Sequence, residues 1–160
     1  MSLSAIPCPD CGRRYTPTKT GTIRRHKCDK PSNAILIPLP WTRPPISLND
    51  RGHWATKARA VGSTRTEARW AIRAAKVRPI VAANITLHWR VPDNRRRDAD
   101  NLAGTKKAVT DALVDEGVLP DDSWVHVPAS TERIHPPVKG LPAAMWIELS
   151  DVYEYGGGAA

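Results

Sequence analysis

Phenylalanine is absent from the 160 residues, methionine occurs twice and cysteine three times. Six tryptophans, at positions 41, 54, 70, 89, 124 and 146, carry most of the aromatic content, and most are expected in the core. No apolar run reaches the roughly 18 residues that a membrane span requires. The opening, MSLSAIPCPDCG, lacks the charged and apolar blocks of a secretory signal. No internal repeat is visible. Three cysteines do not make a disulfide framework. These absences lead to the expectation of a soluble, intracellular protein without a membrane segment.

What is abundant is positive charge. The chain is +8 overall, which favours a polyanionic partner because Lys and Arg gather phosphates and release their counter-ions. Residues 1 to 30 contribute +5 of this and the remainder only +3. A second concentration, Arg65, Arg69, Arg73 and Lys76, falls at i, i+4, i+8 and i+11 and forms one row if the segment is helical. Ala68, Ala71, Ile72 and Ala75 beside it make a candidate buried stripe. Such a row is either a solvated helix face or one that tracks phosphates.

Residues 1 to 30 read as a small basic appendage, 34 to 150 as the main domain and 151 to 160 as a disordered tail. AILIPLP resembles a strand whose prolines push its end to an edge or turn. Trp54 to about Lys76 reads as a helix that Gly62 and Ser63 would break or kink. The clearest strand is NITLHWRV, where Ile85, Leu87, Trp89 and Val91 alternate with polar residues. A helix follows from about Leu102 to Glu116, with Gly117 as its stop. SWVHVPAS and AAMWIELS are expected as two further strands. The order β, α, β, α, β, β predicts an α/β (α+β) fold, a single mixed sheet with two main helices packed on a face.

All three cysteines lie in the appendage. Cys8 and Cys11 have knuckle spacing, and His26 and Cys28 follow after fourteen intervening residues. Four soft ligands in a segment nearly devoid of apolar residues fit a closed structural Zn2+ site, with the metal supplying the folding energy. The H-x-C spacing is tighter than that of ordinary fingers, and reduced thiols on a basic arm remain the alternative. Nothing resembles the base and orienting partner that thiol catalysis needs.

The heptapeptide RRRDADN sets Arg95, Arg96 and Arg97 against Asp98 and Asp100. In extended backbone the two carboxylates leave on the same side, and two anions held close resist ionising together unless a cation lies between them. Mg2+ meets that need. PDDSW supplies a third carboxylate, Asp121 or Asp122, if the strand ends converge. Such a cluster on a basic protein suits metal-assisted phosphodiester hydrolysis. Helix capping by Asp100 and turn formation by Asp121 are the alternatives for single residues. Lys107, seven residues beyond Asp100, would return to the same helix side and could stabilise transition-state charge, unless irregular backbone at Gly104 spoils the phase.

The stretch PDNRRRDADNLAGTKKAVTDALVDEGVLPDDSWV resembles the core of the RusA-type Holliday junction resolvases: an Arg-rich loop, D-x-D-N-L, a helix with a lysine and D-A-L, then D-D before a strand. LPWTRPPISLNDRGHW is similar to the family's opening, and the likeness covers about residues 35 to 149. The resemblance implies a homodimeric, Mg2+-dependent endonuclease that nicks four-way DNA junctions at paired positions, often phage- or prophage-encoded and hence acting in a bacterial cytoplasm. It implies Asp98, Asp100 and Asp122 as catalytic metal ligands, with Asp121 an assisting neighbour. It implies Lys107 as the catalytic lysine when counted back from D-A-L, although a short insertion after D-N-L leaves Lys106 in competition. Arg95, Arg96, Arg97, Arg65, Arg69, Arg73 and Lys106 are then the candidate DNA contacts, and Trp54 a candidate for stacking on an opened base. The zinc-like arm lies outside the family pattern. The rival readings are a metal nuclease for flaps or plain duplex, and a non-catalytic zinc-dependent DNA-binding adaptor.

Overall fold

A computed structural model describes residues 6–7, 14–15, 34–46 and 54–153. The chain divides into two units, Met1–Ser32 and Asn33–Ala160. In the first, β1 (Ile6–Pro7) pairs antiparallel with β2 (Arg14–Tyr15), Ile6 opposite Tyr15. Cys8, Cys11, His26 and Cys28 lie outside the described residues, as does the tail from 154 onward.

The second unit is a mixed α+β fold built on one four-stranded sheet and two helices. Its elements are β3 (Ile35–Leu39), α1 (Trp54–Ala75), β4 (Ala82–Arg90), a 3-10 turn (Ala99–Leu102), α2 (Ala103–Asp115), β5 (Ser130–His135) and β6 (Ala144–Tyr153). Strand order is β3-β6-β4-β5, antiparallel except for the parallel β4–β5 pair. Alternation explains the inner face. Ile85, Leu87 and Trp89 of β4 and Met145, Ile147 and Leu149 of β6 are buried with Ile37 and Leu39 of β3. Ala68 and Ile72 from α1 and Val109, Ala112 and Leu113 from α2 complete that core. No helix among the described residues is long and apolar enough to cross a membrane.

α1 runs through Gly62 and Ser63 without a break. Gly62 meets nothing within 4 Å of a virtual Cβ, and the hydroxyls of Ser63 and Thr64 donate to the Ala60 carbonyl at 3.1 and 2.6 Å, so neither polar side chain disrupts the ladder. The buried stripe is Thr64, Ala68 and Ile72, with Ala71 partly buried and Ala75 exposed. α2 stops as its C-terminal glycine requires: Gly117 has φ +69°, and the Val118 N–H reaches back to the Leu113 carbonyl at 2.9 Å.

Three expectations fail. Most tryptophans are not in the core: only Trp89 is buried, Trp41 and Trp146 are partly buried, and Trp54, Trp70 and Trp124 are exposed. SWVHVPAS is not a strand. His126 and Val127 donate to the Ser123 carbonyl at 3.0 and 2.8 Å in a turn, and Trp124 is 82% exposed. The edge strand that pairs with β4 is instead the polar run STERIH of β5. Pro128 cannot donate to a ladder, and β5, at the sheet edge, needs no apolar alternation. The main domain also runs past residue 150: β6 continues to Tyr153, which pairs with Ala82 beyond an irregularity at Ala82/Asn84.

Candidate functional site

The loop after β4 is organised by Arg97. Its guanidinium donates to the Asp93 carboxylate at 2.7 Å and to the Asp93 and Arg95 carbonyls at 2.9 and 2.8 Å, and lies 5.2 Å over the Trp89 ring. The Arg95 N–H also donates to Asp93, at 3.0 Å. The Arg95 N–H, followed by Arg97, holds the Asp93 carboxyl below its ordinary range. Arg97, with a side chain only 17% exposed, therefore faces its own loop. Arg95 and Arg96 project outward at 87% and 94% exposure, in loose pairs with Asp93 at 3.8 Å and Asp98 at 3.9 Å.

Asp98 is extended, with φ −100° and ψ 133°, and is the last such residue before the 3-10 turn. The alternation that would place Asp98 and Asp100 on one side therefore ends between them, where the wholly buried Leu102 draws the chain into the turn. Asp98 makes no side-chain cap, and the exposed Asp100 carboxylate has no hydrogen-bond or ion-pair partner among the described residues, while its backbone carbonyl accepts the Ala103 N–H. Gly104 permits the next step. A Cβ there would stand 2.7 Å from Ile46 Cγ2, and Thr105 Oγ1 bonds the Ile46 carbonyl at 3.0 Å, so the chain at Ile46 seats on the first turn of α2.

That seating sets the phase of the two lysines. Lys106 turns toward β5, pairing with Glu132 at 2.7 Å and donating to the Ser130 carbonyl at 3.3 Å. Lys107 turns to the acidic turn: its ammonium donates to Asp111 on the same helix and to Asp122 at 2.6 Å. Asp111, then Asp122, raises the Lys107 pKa, and Lys107 in turn holds the Asp122 carboxyl below its usual range. Asp121 instead accepts the Ser123 N–H, which is turn work.

The structure thus unites Lys107 with Asp122, and among the described residues neither makes a hydrogen bond or ion pair with Asp98 or Asp100. Carboxylate oxygens suit a hard cation such as Mg2+. Among the described residues no three His, Cys, Asp or Glu side chains are gathered into a metal-ligand group, and the cation present at Asp122 is the Lys107 ammonium.

Arg65, Arg69 and Arg73 of the expected basic row lie on α1 and are engaged, while Lys76 falls just beyond the helix with φ +51°. Arg65 pairs with Asp115 at 2.5 Å and lies 4.0 Å from Asp111, while Arg69 and Arg73 share Glu116 at 2.6 and 2.5 Å. These pairs join α1 to the C-terminal end of α2. The acids of VDEG were the available signal for this pairing.

A second cluster escaped the sequence reading. His88, 4% exposed, accepts or donates at both ring nitrogens: Nδ1 to His135 Nε2 at 2.8 Å and Nε2 to Glu148 Oε2 at 2.9 Å. The His88 ring stacks on Trp146 with centroids 5.0 Å apart and planes at 3°. A carboxylate only accepts, so His88 Nε2 carries the proton toward Glu148, and neutral His88 receives its Nδ1 bond from His135. Burial lowers both histidine pKa values, with the Arg133 charge adding to the effect at each. His88 was visible on the polar face of β4, but its partners required the strand register. A scan of protein-family models and a search of curated proteins return no match to this chain.

Proposed function

We propose that this protein is a Mg2+-dependent, structure-selective DNA endonuclease that resolves four-way junctions by paired nicks. The observation that carries the reading is the 2.6 Å contact of Lys107 with Asp122, a lysine and a carboxylate fifteen residues apart that the junction-resolvase resemblance assigns to one site. The exposed Asp98 and Asp100, preceded by the outward Arg95 and Arg96, and the net charge of +8 support it.

Asp98, Asp100 and Asp122 would hold the ion, which when bound supplies an acidified water and charge neutralisation at the phosphate. Lys107 offsets negative charge that develops on the phosphate oxygens. Arg95 and Arg96 hold the flanking DNA backbone, and Arg97 keeps their loop in place. A junction with two-fold symmetry calls for two symmetric active sites, hence a homodimer. The cysteines and His26 of the first unit are proposed as a structural Zn2+ site; metal analysis of the wild type against Cys8→Ser tests it, and absence of zinc from both refutes it.

The test of the nuclease is a labelled four-way junction beside a matched linear duplex, with and without Mg2+, using wild type and Asp98→Asn. Symmetric junction nicks that require Mg2+ and vanish in Asp98→Asn are expected. Equal cleavage of plain duplex would favour a nuclease of other preference. Junction binding without nicking across several divalent ions would leave the DNA-binding adaptor.

A further inference from the structure

Lys107 holds two carboxylates of different mobility. Asp111 lies four residues on along α2, so the Lys107–Asp111 pair is fixed by the helix itself. Asp111 is further braced by Arg65, which approaches it to 4.0 Å while bonding Asp115. Asp122 sits on the turn beyond α2, and among the described residues its bond to Lys107 links that turn to the ammonium. A divalent cation and an ammonium competing for the same carboxylate repel one another, so occupancy of Asp122 by one opposes the other.

We propose that Lys107 is an internal counter-ion that holds Asp122 until a divalent cation takes it, with Asp111 the positioning residue that retains the ammonium afterwards. The inference rests on the reading of Asp122 as a metal ligand. It accounts for the two acidic partners of the lysine, of which Asp122 can be released while Asp111 is kept. An ammonium has three donors, so release from Asp122 frees one for a phosphate oxygen while Asp111 keeps the side chain at the site.

The test is titration of Mg2+ alone into the full chain, followed by the backbone amide shift of residue 122, for wild type, Lys107→Met, Asp111→Asn and the double variant. Lys107→Met is expected to tighten Mg2+ binding about two- to fivefold, the range for a partly exposed ion pair. Asp111→Asn is expected to weaken it by a similar factor, because the ammonium then leans wholly on Asp122. In the Lys107→Met background, Asp111→Asn should have no effect. Equal weakening by Asp111→Asn in both backgrounds would reduce Asp111 to a general charge and overturn the proposal, as would Mg2+ binding that Lys107→Met leaves unchanged. Failure of both wild type and Lys107→Met to take up Mg2+ would overturn it as well. Junction nicking distinguishes the two readings: nicking without this coupling removes the counter-ion and keeps the nuclease, and coupling without nicking does the reverse.

Discussion

Three consecutive arginines read alike in a sequence, yet they divide by partner. Arg97 folds back on Asp93 and over Trp89, while Arg95 and Arg96 stand in solvent. The i, i+4 spacing of Asp93 and Arg97 was the only signal, and it is weak outside a helix. Arg97→Ala should therefore cost about 1–2 kcal/mol, because it strips charge-assisted bonds from the loop. Arg95→Ala and Arg96→Ala should leave stability unchanged but each reduce the salt-dependence slope of DNA binding by about 1. Urea melts and binding isotherms at several salt concentrations check both; a stability loss in Arg96→Ala with an unchanged slope would contradict the division. Which of Lys106 and Lys107 meets Asp122 was not legible from spacing, because it depends on the 3-10 turn and the Gly104–Ile46 approach.

Strands announced themselves where one face is buried. β4 and β6 alternate because their inner residues meet the helices, whereas edge strand β5 has little to bury and was displaced onto the more apolar SWVHVPAS. Trp124→Ala in that turn should change stability by no more than about 0.5 kcal/mol. Ile147→Ala, wholly buried in β6, should cost about 2–5 kcal/mol. Comparable losses at the two positions would argue against the observed placement of β5. Register also assembles the cluster of His88, His135, Glu148 and Trp146 across three strands. Both histidines are held below the ordinary value of about 6.5. The unfolded chain thus takes up protons first, so stability is complete above about pH 6.5 and declines as pH falls through that value toward the lower folded pKa. The denaturation midpoint should drop between pH 7.5 and 5.5, and less so in His88→Asn; equal drops in both would exclude the cluster as the source.

At the scale of the whole molecule, the net charge of +8 is not simply a DNA-facing surface. Arg65, Arg69 and Arg73 are committed to Asp115 and Glu116 and tie α1 to α2, while the loop after β4 keeps Arg95 and Arg96 outward. The mixed sheet, the two helices and their order were legible because hydrophobic period and the Gly117 stop act locally. Pairing order and ion-pair partners are long-range and were not.

The central claim is that Asp98, in the loop after β4, and Asp122, in the turn after α2, serve one reaction. It is tested most directly by single-turnover nicking of a four-way junction by Asp98→Asn, Asp122→Asn and the double variant. Groups acting as one unit are non-additive, so each single change should reduce the rate by at least about a hundredfold and the double should be no slower than the worse single. Wild-type nicking by Asp122→Asn, or losses that multiply in the double variant, would contradict it.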